Sequence, residues 1–262
     1  MKKAFKLPAA VCCGLALMSW SVMWGADPKV KSKKEAQAFK DMQQTLQISA
    51  NDPAAQLKAI DDFLANYADT EFKVLLLENA MQVAQDRKKD PALATTYAQR
   101  LLEADPKSFE ANVALATMTA QGAKEFDLDK ADKTLQVQKY AQAVYDDVKD
   151  YPKPMSTMSD DQWAAQKKTA VATAHMAVGL MDMANKKFDD AITEYKTALD
   201  ITPDSVIQFR LGEAYMKAKK WDDADAAFDK VLATPDAAQV VKQYAQQRKV
   251  DVAKMKAASA PK

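Results

Sequence analysis

The single histidine, His175, is the first residue to consider for catalysis, because an imidazole titrates near neutral pH and serves as a general base or a metal ligand. It lies one turn before a glycine in a helix-like run, where a packing role is the simpler interpretation. Both cysteines, Cys12 and Cys13, lie in an apolar N-terminal run, so the rest of the chain offers no thiolate nucleophile. The sequence therefore predicts no catalytic residue, no metal site, no cofactor and no enzymatic activity.

Pairs of adjacent aspartates are the other candidates for acid-base chemistry. Neighbouring residues of a helix point about 100° apart, so such a pair does not bring two carboxylates together. Several pairs precede apolar periodic runs, where negative charge in a first helical turn meets the positive end of the helix dipole. We interpret them as structural, while a site made only of carboxylates stays open as an alternative. The pairs are Asp61-Asp62, Asp146-Asp147, Asp160-Asp161, Asp189-Asp190 and Asp222-Asp223.

Two of these pairs belong to a repeated block. The sequence reads KKFDDA at 186–191 and KKWDDA at 219–224, which are 33 residues apart. Each block follows a helix-like run with a glycine, Gly179 or Gly212, and precedes a Thr-Pro-Asp turn. A fixed period in the mid-thirties indicates stacked helical hairpins.

The residues around these blocks resemble the tetratricopeptide repeat, which has small residues where two helices cross, large ones beside them and a proline at the end. The first repeat, 172–204, carries the motif at Gly179, Ala191, Tyr195, Ala198 and Pro203. The second repeat, 205–236, carries it at Leu211, Gly212, Tyr215, Ala224, Phe228 and Pro235, with Val231 in place of a small residue. Gly179 and Ala191 are expected to let two backbones approach while Tyr195 fills the space beside them. The resemblance implies an all-α, right-handed superhelical stack of helical hairpins, or α-solenoid, that binds protein partners.

Composition agrees with an all-α fold. The 262 residues include only five glycines, two of them in the first 26 residues, which cannot supply the turns of a many-stranded sheet or a glycine-rich phosphate loop. Apolar residues recur at helical spacing with short breaks, which predicts about eleven helices. A basic face typical of nucleic-acid binding is absent, since 37 basic side chains stand against 36 acidic ones.

Three regions are predicted along the chain. Residues 1–26 have a basic start and an apolar run, typical of a secretory signal peptide. Residues 27–154 are expected to form degenerate repeat-like hairpins, with an irregular helical bundle as the alternative. Residues 155–262, after the break at Pro152 and Pro154, contain the two clear repeats and a C-terminal capping helix near 236–258.

The signal-peptide-like residues 1–26 predict the cellular location of the protein. Cleavage near Gly25 or Ala26 would place the mature chain in the periplasm of a bacterium. An uncleaved leader is the alternative, with residues 7–24 anchoring the chain in the inner membrane, and a membrane contact is expected only in that case. Cys12 and Cys13 lie inside the apolar run rather than at its end, which argues against a lipid anchor.

The resemblance places a binding groove on the first helix of each repeat. Relatives that grip a peptide C-terminus line this groove with Lys, Arg and Asn, a pattern that is absent here. The side chains are largely apolar and rich in methionine, which adapts to different partner shapes. We expect a hydrophobic helix or an extended segment of a protein there. The predicted lining is Thr173, Met176, Leu180, Met183, Val206, Phe209, Glu213, Met216 and Lys217.

The resulting hypothesis is a non-enzymatic interaction scaffold of the bacterial cell envelope that binds a protein through an apolar concave groove. In one alternative there is no apolar groove, and helix 163–185 packs its apolar side on the upstream hairpins instead. A second alternative gives the protein a different function: a helical module that binds or acts on an envelope polymer through a site made only of carboxylates.

Overall fold

The computed structural model describes residues 30–153 and 158–259. All regular structure in these residues is helical, with no strand, as the composition predicts. The predicted signal peptide lies outside the described residues. The helices are α1 (Lys33–Ile48), α2 (Pro53–Asn66), α3 (Lys73–Gln82), α4 (Pro91–Ala104), α5 (Phe109–Gly122), α6 (Lys130–Asp147), α7 (Asp160–Ala184), α8 (Phe188–Ile201), α9 (Ser205–Lys217), α10 (Trp221–Ala233) and α11 (Gln239–Ser259).

The chain forms two compact units, and the first unit takes residues from two separate stretches. It contains the described residues up to Met118 and those of 150–163, whereas the second unit contains 119–149 and everything described from Ala164 onward. The sequence predicts one boundary within residues 27–262, after residue 154. The division differs because Tyr151 and Trp163, on either side of that point, both pack on Phe109, with ring centroids 5.3 and 5.5 Å away.

Helix starts in the first unit follow local capping rules. Asp52 accepts hydrogen bonds from the backbone N–H groups of Ala54 and Ala55, both 3.0 Å, and Pro53 occupies the first helical turn of α2. Asp90 caps α4 in the same way, 3.0 Å from the N–H of Leu93. These side chains satisfy backbone donors that have no partner within the helix. Both helices therefore start at an Asp-Pro pair, whose side chains suit a cap and a first helical turn.

The core of the first unit is built on aromatic and branched side chains. Phe39 of α1 stacks on Phe72 with ring centroids 3.9 Å apart and meets the edge of Phe63 at 5.5 Å. Ile60 of α2 and Leu77 of α3 are fully buried. Each such side chain removed from water contributes about 1.5–3 kcal/mol, so burial of this kind holds the first three helices together.

Glycine and aromatic residues pair in the second unit. A Cβ atom on Gly179 would lie 2.6 Å from a ring carbon of Tyr195, and one on Gly212 would lie 2.5 Å from a ring carbon of Phe228. The rings are fully buried. The sequence analysis expected Tyr195 to fill space beside a glycine–alanine contact, but the ring itself occupies the place of the missing side chain. The same contact therefore recurs in both repeats: the backbone of a glycine packs directly against an aromatic ring.

Three hairpins turn through a lysine in the left-handed region. Lys186 and Lys219 both have φ 62°, and Lys89 in the first unit has φ 55°. The turn at Lys89 follows a π-helical segment, Val83–Arg87, that continues α3. L-residues rarely adopt this conformation because Cβ approaches a carbonyl oxygen. The same turn chemistry therefore recurs in both units.

Candidate functional site

The nine residues predicted to line a groove lie on α7 and α9. Six of them reach the surface, of which five are partly exposed and Lys217 is exposed. Their spacings of three, four and seven residues place the members on each helix along one face. We call this set the repeat surface: Leu180, Met183, Val206, Glu213, Met216 and Lys217.

The other three predicted residues belong to the core. Thr173, Met176 and Phe209 are 6%, 2% and 1% exposed, so a partner cannot contact their side chains. Phe209 packs against Phe228 of α10 at 5.5 Å and Tyr244 of α11 at 6.4 Å. The spacing in α9 could not reveal this burial, because the covering side chain of α11 lies more than thirty positions away.

Glu213 is held by two arginines. Its carboxylate accepts a hydrogen bond from Arg210 at 2.9 Å, one turn back on α9, and bonds from Arg248 of α11 at 3.0 and 3.2 Å. Arg248 also lies 3.3 Å from Asp251. The sequence analysis predicted Glu213 as a lining residue and missed both arginines. The i, i+3 spacing of Arg210 and Glu213 was a visible signal, whereas nothing in the sequence pointed to Arg248.

His175 has the contacts of a packing residue. Its Nδ1 atom lies 2.7 Å from a carboxylate oxygen of Glu194 on α8, and its ring stacks on Tyr145 of α6 with centroids 4.6 Å apart. Just after α7, Asn185 donates a hydrogen bond to Thr134 of α6 at 3.1 Å. These contacts tie α6, α7 and α8 together, which fits the packing interpretation of the histidine.

The aspartate pairs of the repeated blocks lie in first helical turns, as predicted. Asp189 in α8 pairs with Lys220 at 2.7 Å, and Asp222 in α10 pairs with Lys256 of α11. Both pairs are exposed, and exposed ion pairs contribute at most about 1 kcal/mol. Their role is local, at the positive ends of two helices.

The structure brings other carboxylates together, in the first unit. Burial first, and then the negative charges of Glu110 and Asp105, raise the pKa of Glu78 to about 8. Burial also raises the pKa of Glu110 to about 7, although a hydrogen bond from Ser108 opposes the shift. Tyr151 donates a hydrogen bond to Asp105. Glu78 and Tyr151 stand far from Asp105 and Glu110 in sequence, which is why residue types alone did not reveal this cluster.

A cavity of about 480 Å³ lies where the turns of the two repeats meet. It is lined by the residues after α7 and by those at the end of α9. We call it the turn cavity, and its walls are Lys186, Lys187, Phe188, Asp189, Asp190, Lys217, Ala218 and Lys219. The repeated block that the sequence analysis treated as structural therefore also shapes an open, charged space.

No group of three or more His, Cys, Asp or Glu side chains in residues 30–153 and 158–259 is placed to hold a metal ion. Within the same ranges, no helix combines the length and apolarity needed to cross a bilayer.

Part of the second unit is similar in sequence to a known family, and the chain is similar in fold to solved structures. Residues 182–246 match the family model described as Tetratricopeptide repeat. A tetratricopeptide repeat protein from Thermus thermophilus superposes with a TM-score of 0.51 at 14% identity, covering 81% of this chain and 97% of that one. MamA from Desulfovibrio magneticus RS-1 gives a TM-score of 0.48 at 16% identity, covering 80% and 99%. No curated protein matches the sequence.

The two levels of similarity carry different weight. The Thermus structure shows the fold alone, and the similarity to MamA is too weak to argue from. The family match covers α8–α10 and the adjoining parts of α7 and α11, where the aromatic partners of both glycines lie. Residues 182–246 are therefore similar in sequence to the tetratricopeptide repeat, in a chain whose described residues share the all-helical fold of the Thermus protein.

Proposed function

We propose that this protein is a non-enzymatic scaffold that binds a segment of another protein on the repeat surface. One observation carries the proposal: Leu180, Met183, Val206 and Met216 keep part of their apolar surface in contact with water on α7 and α9. Methionine is flexible and polarizable, so such a surface accepts partners of different shape. An amphipathic helix or an extended segment matches its apolar character.

The charged members of the repeat surface, Glu213 and Lys217, would orient a bound segment. Arg210 and Arg248 fix the Glu213 carboxylate in one orientation. A carboxylate that is already fixed loses less side-chain entropy on binding than a mobile one. Lys217 lies one turn further along α9, at the end nearer the turn cavity. A segment with an acidic group near Lys217 would fit this order, because Glu213 is already compensated by the two arginines.

The partner is to be sought by photo-crosslinking in cells. A photoreactive amino acid at position 183 or 216 should capture one protein, and the same group at Ile48, exposed in the first unit, should not. The capture should be lost in Met183→Glu and Met216→Glu variants that melt at the unchanged temperature. Equal capture from position 48, or capture that survives both glutamates, would refute the proposal.

The cell envelope is part of the same proposal, motivated by the leader-like residues 1–26. N-terminal sequencing of the protein isolated from the periplasmic fraction should read a chain that starts near Asp27. An intact Met1 end in the membrane fraction would instead favour the anchored form, and recovery from the cytoplasm would contradict export.

A second function is favoured by the carboxylate cluster of the first unit. A carboxyl group with a pKa near neutrality, as for Glu78 and Glu110, can donate a proton at physiological pH. Such a group suits a module that acts on an envelope polymer. Incubation with isolated cell-wall polymer should then release soluble fragments, and Glu78→Gln with Glu110→Gln should abolish the release. No release by the unaltered protein would remove this function.

A further inference from the structure

The loop between α5 and α6, residues 123–129, presents two apolar side chains to water. Phe126 is 86% exposed and Leu128 is 106% exposed, the largest values among the exposed apolar side chains of the described ranges. Single exposed apolar residues are common on protein surfaces, but two large ones at a loop tip mark an interaction site more often. We call residues 123–129 the apolar loop.

The apolar loop is braced by its own charged residues. The Asp127 carboxylate accepts a hydrogen bond from the backbone N–H of Lys124 at 2.9 Å and one from Lys133 at 2.7 Å. Lys130 donates to the carbonyl oxygen of Glu125 at 2.9 Å. The polar groups of the loop are thus directed at other groups of the protein, while Phe126 and Leu128 are left to the solvent. A partner would find these side chains already placed, which lowers the entropic cost of binding.

The turn cavity carries a surplus of positive charge. Its walls hold four lysines and two aspartates, and Asp189 is already engaged by Lys220. Lys187, Lys217 and Lys219 form no ion pair with any carboxylate of residues 30–153 or 158–259. Lysine is a strongly hydrated, mobile cation that suits an acidic side chain arriving from outside.

The apolar loop and the turn cavity lie side by side. Glu125, the residue before Phe126, forms an ion pair at 2.6 Å with Lys186, which lines the cavity. The hydrogen bond from Lys186 is the largest cause that holds the pKa of the Glu125 carboxyl below its usual range, and the positive charges of Lys130 and Lys217 add to it. The ion pair therefore joins an apolar tip to a cationic pocket in one continuous surface of the second unit.

We propose that the apolar loop and the turn cavity form a second docking surface, whose occupant is a protein segment that carries acidic side chains beside an apolar one. The acidic groups pair with Lys187 and Lys219, and the apolar group packs on Phe126 and Leu128. An anionic bilayer fits less well, because Lys187 and Lys219 line a cavity, which suits an inserted side chain better than a flat layer of headgroups.

This surface goes beyond the proposed function and does not depend on it. The repeat surface selects an apolar segment on the faces of α7 and α9, whereas the turn cavity lies past the ends of those helices. Lys217 alone belongs to both sets. Substitutions at Lys187, Lys219, Phe126 and Leu128 leave all six residues of the repeat surface intact, so the two proposals can fail separately.

The test selects short random peptides displayed on phage against the full chain. Peptides that pair Asp or Glu with Leu, Ile or Phe should be enriched. The best synthetic peptide should bind about tenfold more weakly to Phe126→Ser with Leu128→Ser, and to Lys187→Gln with Lys219→Gln. Raising the salt concentration should weaken binding, since the pairs are partly exposed. Matched controls are Ile48→Ser and Lys139→Gln, exposed residues elsewhere that should leave binding unchanged.

Several results would overturn the proposal. Enrichment of basic or uncharged peptides, or equal binding of an acidic peptide and its Asn/Gln counterpart, would exclude the acidic segment. Binding to phosphatidylglycerol vesicles in place of peptides would make the surface a membrane contact. A concentration-dependent dimer abolished by the Phe126 and Leu128 substitutions would make it a contact between copies. Loss of binding only in Met183→Glu and Met216→Glu would leave the repeat surface as the sole site.

Discussion

Hairpins in both units turn through a lysine with positive φ. The contacts between neighbouring helices inside each unit differ. Lys89 in the first unit turns in the left-handed region as Lys186 and Lys219 do in the second. In the second unit a glycine backbone lies under an aromatic ring at each repeat. The described part of the first unit contains no glycine and relies on stacked rings such as Phe39 and Phe72.

The units also treat buried charge differently. In the second unit the Glu213 carboxylate is compensated by two arginines. In the first unit Glu78, Glu110 and Asp105 lie close together, with a tyrosine hydroxyl as donor to Asp105. The described residues of both units therefore share the hairpin turn. The glycine–aromatic contact of the repeats is found only in the second unit. The family match, residues 182–246, lies wholly in the second unit.

The largest expected effect tests the glycine–aromatic contact. Gly179→Ala and Gly212→Ala should each lower the free energy of unfolding by about 2–3 kcal/mol, because the new methyl group enters the space of a buried ring. Chemical denaturation followed by circular dichroism measures the change. Gly122→Ala is the matched control, since a Cβ there meets nothing within 4 Å, and it should be neutral or slightly stabilising.

A compensating substitution sharpens this test. Phe228→Leu removes the ring carbons nearest Gly212, so it should recover part of the loss when combined with Gly212→Ala. Additive losses in the double variant would show that the glycine matters for backbone freedom and not for the contact.

The second prediction concerns pH and the first unit. The pKa values of Glu78 and Glu110 are raised on folding from an ordinary 4.5 to about 8 and about 7, so the folded state favours the protonated forms. Their contribution to stability is complete below the unfolded pKa and is lost as the pH rises through the folded values. The melting temperature should therefore fall between about pH 5 and about pH 8.

The size of this fall is bounded. Each carboxyl contributes at most about 1.4 kcal/mol per pH unit, and less where a side chain keeps contact with water, as Glu78 and Glu110 do. Glu78→Gln combined with Glu110→Gln should flatten the profile. Glu103→Gln, at an exposed site on α4, should leave it unchanged. A profile that is flat in the unaltered protein would show that the cluster is not linked to folding.

Sequence reasoning succeeded where structure depends on near neighbours. The aspartate pairs of the repeated blocks predict the first turns of α8 and α10, because a helix start depends on residues within one or two turns. It failed where burial depends on distant helices. Phe209 looks like any apolar residue on a surface stripe until Tyr244 covers it. Glu78 looks solvated until Glu110 and Asp105 approach it.

The third prediction addresses charge compensation in the second unit. Glu213→Ala should cost about 1–2 kcal/mol of stability, since it leaves Arg210 and Arg248 close together without the carboxylate. Glu213→Gln should cost less because an amide oxygen can still accept a hydrogen bond. Thermal melting of the two variants gives the comparison. Identical melting temperatures would show that the arginines are solvated and contribute nothing.

The smallest effect comes from the turn that both units share. Lys219→Gly and Lys89→Gly should each raise stability by about 0.5 kcal/mol, because glycine adopts positive φ without steric cost but loses more entropy on folding. Lys187→Gly, next to Lys186 but with φ −88°, should instead destabilise the protein. Chemical denaturation of the three variants measures the differences. Equal responses at the three positions would mean that the left-handed turns carry no strain.

The return of residues 150–163 to the first unit has a consequence for the order of folding. A polypeptide emerges N-terminus first, so Phe109 is made well before Tyr151 and Trp163 that cover it. Until Trp163 arrives, a few seconds later at the usual rate of synthesis, the apolar start of α5 has no cover from these rings. A chain truncated anywhere between residues 118 and 150 would lack both Tyr151 and Trp163 and so could not form this cover. The boundary in the chain is therefore a poor place to divide the molecule, because the first unit is completed only after synthesis of the second has begun.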